Sequence, residues 1–267
     1  MGRNDSCFCL SGKKKKKCHP DIHEESQAAA KLRIYGQLER DLKKHNVETE
    51  EITLCVEGCS DCCFDYFTVQ SIEFDLILNE LCKWEREKLD KLINKVEEYW
   101  VKLVSDHPAV GRLSQKLNDT EIDEIHSSID KTSFPCVFLD DNSDLCQIYS
   151  IRPFKCRVFG RTYYAQNDGS VMPIACDKYG KILNEDNFGV FFHDVTEVLD
   201  SNTDLSIIED KKRNVAFLAP EYPLIYNLYK HFVVDKLGTV VEDFDDKFKL
   251  AKSSYHSNII DNMIRGK

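Results

Sequence analysis

Eleven of the twelve cysteines in this 267-residue chain fall into two groups, and their spacing constrains the fold more than any other feature. Cys7, Cys9 and Cys18, followed by His19, form an N-terminal group. The second group consists of Cys55, Cys59, Cys62, Cys63, Cys136, Cys146, Cys156 and Cys176. Closely spaced thiolates chelate soft metals, whereas an isolated cysteine such as Cys82 usually packs as a small apolar residue. The spacing therefore predicts a metal-thiolate protein.

Composition and charge exclude several other classes of protein. The chain is 42% hydrophobic and 31% charged, which is typical of a folded globular protein. Its formal net charge of −10 argues against a general nucleic-acid coat protein. Neither a signal peptide nor a membrane span is recognisable, so we expect a cytoplasmic protein. In that reducing compartment, metal binding is favoured over a disulfide framework.

The residue pattern predicts a mainly α fold around a small irregular or β cysteine-rich centre. Residues 21–45 have a helical composition interrupted by Gly36, and 71–104 show one apolar stripe typical of a long helix. Prolines and glycines punctuate 134–177, which favours short strands and loops. Further helices are expected near 188–199, 223–237 and 244–264. The predicted domains are a motif at 1–20, a helical linker at 21–46, a core at 50–180 and a helical extension at 181–267 that packs on the core.

The N-terminal group contains the ligands of a closed structural zinc site. Two short chelating pairs, Cys7-x-Cys9 and Cys18-His19, are joined by eight residues and supply three thiolates and one imidazole. A segment of this length has few apolar residues for a core of its own. The free energy of metal binding would therefore be its free energy of folding.

This stretch, from Gly2 through Cys7-Phe8-Cys9 to Cys18-His19, resembles the SEC-C motif, best known as the zinc-binding tail of the SecA translocation ATPase. It lacks the prolines usual around the first cysteines but keeps all four ligands. The resemblance implies a zinc-bound adaptor that contacts another macromolecule. The contact surface would be a basic loop that reaches acidic protein or RNA. The loop residues are Lys13, Lys14, Lys15, Lys16 and Lys17. The alternative is a solubilising loop without a partner.

The second group opens with four thiols in nine residues, Cys55-x3-Cys59-x2-Cys62-Cys63. Cys59 and Cys62 have the spacing of a metal knuckle, and the adjacent Cys62 and Cys63 are expected to point in different directions. Eight thiolates suit two four-coordinate sites or one multinuclear cluster, with either zinc or iron–sulfur. The first three cysteines also share the spacing of radical S-adenosylmethionine enzymes, but this chain lacks the alternating strands and helices of their barrel.

A downstream string runs from Cys146-x-Ile-Tyr through Arg152-Pro153 to Cys156-Arg157-x-Phe. Together with the first four cysteines, this string resembles the YkgJ-type cysteine-cluster family, a zinc- or iron-chelating domain. The resemblance covers about residues 50–180, and with the SEC-C motif it implies a bacterial protein. It implies metal binding and leaves the activity open. Some members resemble the flagellin lysine N-methylase, which gives an enzymatic alternative.

Arg152 and Arg157 flank the last part of that string. A four-thiolate site around Zn²⁺ or a 2+ iron–sulfur core has a net charge of about −2. Guanidinium groups next to the ligands would offset this charge and donate hydrogen bonds to sulfur. The alternative is that each arginine forms an ordinary ion pair.

Three functions remain open from the sequence. The first is a structural or metal-carrying protein, the second a metal-dependent modification enzyme, and the third an iron–sulfur redox module. A partner protein or RNA could dock on the basic loop, whereas no DNA-binding motif is recognisable. No catalytic residue is identified.

Overall fold

The computed structural model describes residues 4–20, 22–48, 58–176, 192–210 and 215–235. Helices predominate in these residues and the strands are short, which confirms the mainly α class. The α-helices are α1 (Lys15–Cys18), α2 (Gln27–Glu48), α3 (Ser71–Leu81), α4 (Arg86–Asp106), α5 (Asp119–Ser127), α6 (Phe154–Val158), α7 (Thr196–Asp204) and α8 (Leu224–Tyr229). The strands are β1 (Thr68–Val69), β2 (Arg161–Ala165), β3 (Val171–Ala175), β4 (His193–Asp194), β5 (Ile207–Asp210), β6 (Val215–Leu218) and β7 (Tyr222–Pro223).

The chain divides into two compact units that interleave along the sequence. The first unit comprises Met1–Glu57, Pro153–Ala219 and Asn258–Lys267, and the second comprises Gly58–Arg152 and Pro220–Ser257. Helix α2 is the longest element of the first unit and confirms the helix predicted there. It buries Ala28, Ala29, Leu32, Tyr35 and Leu38. Ser26 precedes this helix, and its hydroxyl oxygen accepts a hydrogen bond from the Ala29 amide at 3.2 Å, as an N-terminal cap does.

Two small sheets complete the first unit. One has the order β3-β2-β4, in which β2 pairs antiparallel with β3 and parallel with β4. The other is the antiparallel pair of β5 and β6. Strands β2 and β3 follow Cys156-Arg157 in the sequence, and Cys176 comes directly after the end of β3. The irregular, strand-containing centre predicted for 134–177 therefore contains a β-hairpin.

The second unit is built around α3, α4 and α8, which share one cluster of buried side chains, and α4 and α8 also contribute to a second cluster. Trp100 of α4 stacks on Tyr229 of α8 with ring centroids 4.9 Å apart. The Tyr226 hydroxyl donates a hydrogen bond to the Leu113 carbonyl at 2.7 Å. Strands β1 and β7 pair antiparallel and tie the start of α3 to the start of α8. These contacts form the frame that carries the cysteines of this unit.

Two helices, α3 and α4, occupy the segment predicted as one long helix over 71–104. The chain leaves the helix at Cys82 and re-enters it after Glu85, whose backbone is extended. Trp84 lies in this break and packs edge-on against Phe138, with centroids 6.1 Å apart. The apolar stripe in the sequence could not reveal this break, because the apolar residues of both helices are buried in the same cluster. The packing of Trp84 on Phe138 is what distinguishes two helices from one continuous helix.

The remaining helix predictions have mixed outcomes. The region near 188–199 is helical only from Thr196, the start of α7, in the residues described. The helix predicted over 223–237 is α8 followed by a π-helical turn, Lys230–Val234. The predicted helix at 244–264 lies outside the described residues. In the described part of the chain, no helix combines the length and hydrophobicity that crossing a bilayer requires.

Candidate metal centres

The four predicted N-terminal ligands converge. The sulfurs of Cys7, Cys9 and Cys18 and a ring nitrogen of His19 all lie within 4.8 Å of one another. The Cys7 sulfur is 3.3 Å from His19 Nδ1, and the Cys9 sulfur is 3.5 Å from the Cys18 sulfur. A tetrahedral zinc ion with Zn–S bonds of about 2.3 Å requires sulfur–sulfur edges of roughly 3.8 Å. The observed spacing therefore fits one four-coordinate ion.

Backbone hydrogen bonds bring the two ligand pairs together. The Cys7 amide donates to the Lys13 carbonyl at 2.8 Å, and the Lys15 amide donates to the Asp5 carbonyl at 2.9 Å. Between them the chain reverses through Gly12, whose φ of +73° is a left-handed conformation that costs glycine little. Helix α1 follows and presents Cys18 and His19 towards the first pair. This hairpin-like turn explains why an eight-residue spacer suffices.

The thiols of this cluster differ in how easily they ionise. Burial, above all, raises the pKa of Cys7 to about 12. Burial also opposes ionisation of Cys9, but hydrogen bonds from His19 and Ser11 outweigh it and lower its pKa to about 6. A divalent cation supplies the charge that would keep all three sulfurs deprotonated. The chemistry of the donor set thus fits a bound cation of the zinc type.

The N-terminal centre is attached to helix α2. Phe8 is buried between the ligand His19, on which it stacks at 5.6 Å, and Arg33 of α2, whose guanidinium carbon is 6.0 Å from the ring centroid. The backbone of Cys9 lies directly against Gly36 of the same helix. Gly36, which interrupts the helical composition in the sequence, is thus the position where this backbone approaches the helix.

The predicted basic loop Lys13–Lys17 is only partly a loop in the structure, because Lys15, Lys16 and Lys17 belong to helix α1. Lys13, Lys14, Lys16 and Lys17 are exposed, and Lys15 is partly buried. In the described part of the chain, none of the five ammonium groups forms a hydrogen bond or an ion pair. The loop therefore presents a concentrated positive surface on a chain with a net charge of −10.

Seven of the eight cysteines in the second group lie in the described residues, and Cys55 lies outside them. Cys62 and Cys63 belong to a short 3-10 turn, Asp61–Phe64, in the second unit. Their thiols form a hydrogen bond, which together with burial raises the pKa of Cys62. Although adjacent side chains were expected to point in different directions, the two sulfurs meet in this turn. Successive side chains diverge by about 120° in a 3-10 turn, rather than to opposite faces as in a strand.

Cys136 lies beside this turn in the same unit. Its amide donates to the Cys63 carbonyl at 2.6 Å, which joins the two cysteine-bearing segments. The Phe138 amide donates to the Cys136 sulfur, a backbone-to-sulfur bond like the one from Ser11 to Cys9. Burial is the largest cause that raises the pKa of Cys136 to about 12, and the nearby Cys146 and Cys62 thiols add to it. Cys59, Cys62, Cys63, Cys136 and Cys146 are all partly buried.

One cation near these thiols is absent from the sequence predictions. The Lys95 ammonium group on α4 donates to the Leu139 carbonyl at 3.0 Å and to Asp141 at 2.7 Å. It also lowers the pKa of Cys136 by Coulombic attraction. No local signal marks Lys95, because it is one of several lysines on a charged helix and 41 positions from Cys136.

Cys156 and Cys176 belong to the first unit. Cys156 lies on the short helix α6, and Cys176 follows β3 with its amide 3.4 Å from the Gly160 carbonyl. Among the described residues, the N-terminal group alone brings three or more ligand atoms within 4.8 Å of one another. Of the two predicted ligand groups, the N-terminal one is thus assembled in the described residues, whereas no three cysteines of the second group that lie in those residues come as close together.

The two arginines make specific contacts. Arg157 is buried on α6, where its Nη1 donates to Glu39 at 2.6 Å and its guanidinium carbon is 4.0 Å from the centroid of the Tyr35 ring. Arg152, in the second unit, lies over the Tyr149 ring at 3.8 Å. Both guanidinium groups are anchored on aromatic rings, which restricts their orientation.

Comparison with known proteins supports the chemistry of the second group. Residues 54–177 match the model of a family described as "Putative zinc- or iron-chelating domain". No match was found among curated proteins or among solved structures. The family match and the Cys/His cluster together support a metal-chelating protein.

Proposed function

We propose that this protein binds a structural zinc ion at its N-terminal centre and a second metal through the cysteines of 54–177, where it has a structural or metal-carrying role. The observation that carries the proposal is the convergence of Cys7, Cys9, Cys18 and His19 within 4.8 Å. Three thiolates and one imidazole match a zinc site without an open coordination position. Cys7 and Cys9 are also only 3% and 8% exposed, which favours a structural role over catalysis.

For the second group, the donor chemistry supports zinc or iron, including an iron–sulfur cluster. The ligands proposed are Cys55, Cys59, Cys62, Cys63, Cys136, Cys146, Cys156 and Cys176. All are thiols, which suit both metals. The backbone bond from Phe138 to Cys136 and the charge of Lys95 are features that stabilise thiolates. Arg152 and Arg157 are proposed to offset the negative charge of the bound centre, each from the ring on which it is anchored, and Arg157 also forms the ion pair with Glu39 that was the alternative for this residue.

Elemental analysis with acid-labile sulfide, on full-length protein purified without oxygen, tests both centres. A variant combining Cys18→Ser with His19→Ala is expected to lose one zinc ion per chain and to keep the second metal. A Cys136→Ser/Cys146→Ser variant is expected to lose the second metal and keep the first. Cys82→Ser, which changes a cysteine outside both groups, is the control and should retain both. Retention of all metal in either ligand variant would contradict the corresponding site.

The same measurement separates the alternatives for the second centre. Iron with equivalent sulfide would favour an iron–sulfur redox module, which then predicts a reversible change in visible absorbance on reduction. Zinc without iron would exclude redox chemistry, because Zn²⁺ has no accessible second oxidation state. A modification enzyme resembling the lysine methylase would additionally have to bind S-adenosylmethionine, which calorimetry would detect.

We further propose that the basic loop Lys13–Lys17 contacts an acidic protein segment or RNA. The exposure of four of its lysines and the lack of ion pairs in the described residues support this. Replacing all five lysines with glutamine should abolish capture of the partner from a lysate, and nuclease treatment would distinguish RNA from protein. Equal capture by the two proteins would contradict the proposal.

A further inference from the structure

Helix α2 contacts the N-terminal centre on one side and helix α6, which carries Cys156, on another. Arg33 and Gly36 face the N-terminal centre. Lys31, Tyr35 and Glu39 recur every fourth residue and therefore form a continuous stripe along the helix. This stripe meets α6, so a single rigid element touches both the zinc ligands and a cysteine of the second group.

The contacts between this stripe and α6 are specific, and the side chains that make them are buried except for the partly exposed Glu39. Glu39 forms an ion pair with Arg157 at 2.6 Å, in which the arginine side chain is only 3% exposed. Tyr35 lies beneath the same guanidinium group. The fully buried Lys31 lies 5.6 Å from the ring centroid of Phe154, the first residue of α6, and donates a hydrogen bond to Asn202 of α7. Cys156 is located between the two anchored residues of α6.

A five-residue helix has almost no intrinsic stability, because nucleating a helix costs more than one turn of hydrogen bonds returns. The orientation of α6, and with it the Cys156 thiol, therefore depends on its anchors in α2. On the other side of α2, the stack of Phe8 on His19 exists only while the N-terminal segment is folded, and metal binding is what folds it.

We infer that metal at the N-terminal centre strengthens retention of the metal bound through Cys156, and that helix α2 transmits this effect. The inference rests on the proposed function, in which Cys156 is a ligand. Loss of the N-terminal metal releases Phe8 and the Cys9 backbone from α2, which loosens the stripe that anchors Arg157 and Phe154. Because coupling is reciprocal, metal at Cys156 also strengthens retention at the N-terminal centre.

The experiment follows transfer of metal from the full-length protein to an excess of a chromogenic chelator. The kinetic phase that belongs to Cys156 is the one that Cys156→Ser removes. In Cys18→Ser this phase is expected to accelerate by at least ~5-fold, the lower end of typical coupling between sites. Glu39→Gln keeps every ligand and should accelerate the same phase, whereas the N-terminal phase, which it affects only through the reciprocal coupling, should accelerate by no larger a factor. Glu87→Gln breaks an exposed glutamate–lysine pair on α4 and is the matched control.

The double variant Cys18→Ser/Glu39→Gln distinguishes transmission through α2 from two independent effects. It should release metal no faster than the quicker single variant, whereas independent effects would multiply. If Cys18→Ser does not fold, Phe8→Ala retains all four ligands and tests the same link. An unchanged Cys156 phase in the first variant, or multiplicative effects in the double, would overturn the inference. If Cys156→Ser removes no kinetic phase that the wild-type protein shows, the proposed ligand role of Cys156 is contradicted, and the inference with it.

Discussion

The carbonyl oxygen of Cys9 lies so close to Gly36 that a β carbon at Gly36 would overlap it. The same β carbon would be 2.9 Å from the Cys9 carbonyl carbon and 3.2 Å from the Leu10 β carbon. Backbone atoms cannot move aside as a flexible side chain can. The absence of a side chain at Gly36 is therefore what allows the N-terminal centre to dock on α2.

The first prediction follows from this contact. Gly36→Ala should accelerate metal release from the N-terminal centre, because the docked backbone has to shift. The helix itself should not suffer, since alanine is favoured over glycine in a helix interior by about 1 kcal/mol. Chelator-induced release kinetics would measure the effect. Gly111→Ala is the control, since its β carbon would meet only the Val104 side chain, at 3.4 Å. Equal release from both variants would contradict the docking role.

The second prediction concerns removal of metal. Chelation should abolish hydrogen-exchange protection at the amides of Cys7, Lys15 and His19, which are bonded within the N-terminal segment. This segment has too few apolar contacts to stay folded without its ligands held together. Amides in the middle of α4 should remain protected, because its packing is independent of that centre. Hydrogen exchange measured by mass spectrometry would resolve the two regions, and persistent protection at Cys7 would argue against a metal-dependent fold.

The third prediction tests the cation near Cys136. Lys95→Met removes the charge that favours the Cys136 thiolate and the hydrogen bond to the Leu139 carbonyl. We expect the second metal to be released several-fold faster, as is typical when a group supporting a ligand is lost. Lys91→Met, one turn earlier on α4 and highly exposed, is the matched control. If the two lysine variants release metal at the same rate, Lys95 has no role at the centre.

The fourth prediction concerns pH. Burial raises the pKa of the Asp75 carboxyl on α3 to about 7. The folded state therefore binds this proton more tightly than the unfolded state, so the free energy of unfolding falls as pH rises from about 4 to about 7. Asp75→Asn should stabilise the protein at pH 8 by up to ~4 kcal/mol and have little effect near pH 4. Urea unfolding at both pH values measures this.

Asp123→Asn, at an exposed position of α5, is the control for this experiment and should change stability little at either pH. Because metal ligands also titrate, the informative quantity is the difference in the free energy of unfolding between variant and wild type at each pH. A stabilisation that is equal at pH 4 and pH 8 would show that the carboxyl charge is not its cause.

Local sequence determined the composition of the N-terminal centre. Cys7, Cys9, Cys18 and His19 are close in the chain, so a single turn through Gly12 suffices to bring them together. The helical periodicity of α2 and the overall mainly α class were likewise readable, since both depend on neighbouring residues. The ligand types alone also indicated metal chelation, because closely spaced thiolates chelate soft metals.

Tertiary structure decided which of these elements contact one another. The stripe from Leu78 to Leu103 continues through the break at 82–85, which only the packing of Trp84 on Phe138 reveals. Gly36 interrupts a helical pattern in the sequence, yet in the fold it receives the Cys9 backbone. Lys95 reaches the vicinity of Cys136 because α4 passes beside the cysteine-bearing loop. Each of these contacts joins residues 27 or more positions apart, and such contacts arise from the packing of whole elements, which local spacing does not encode.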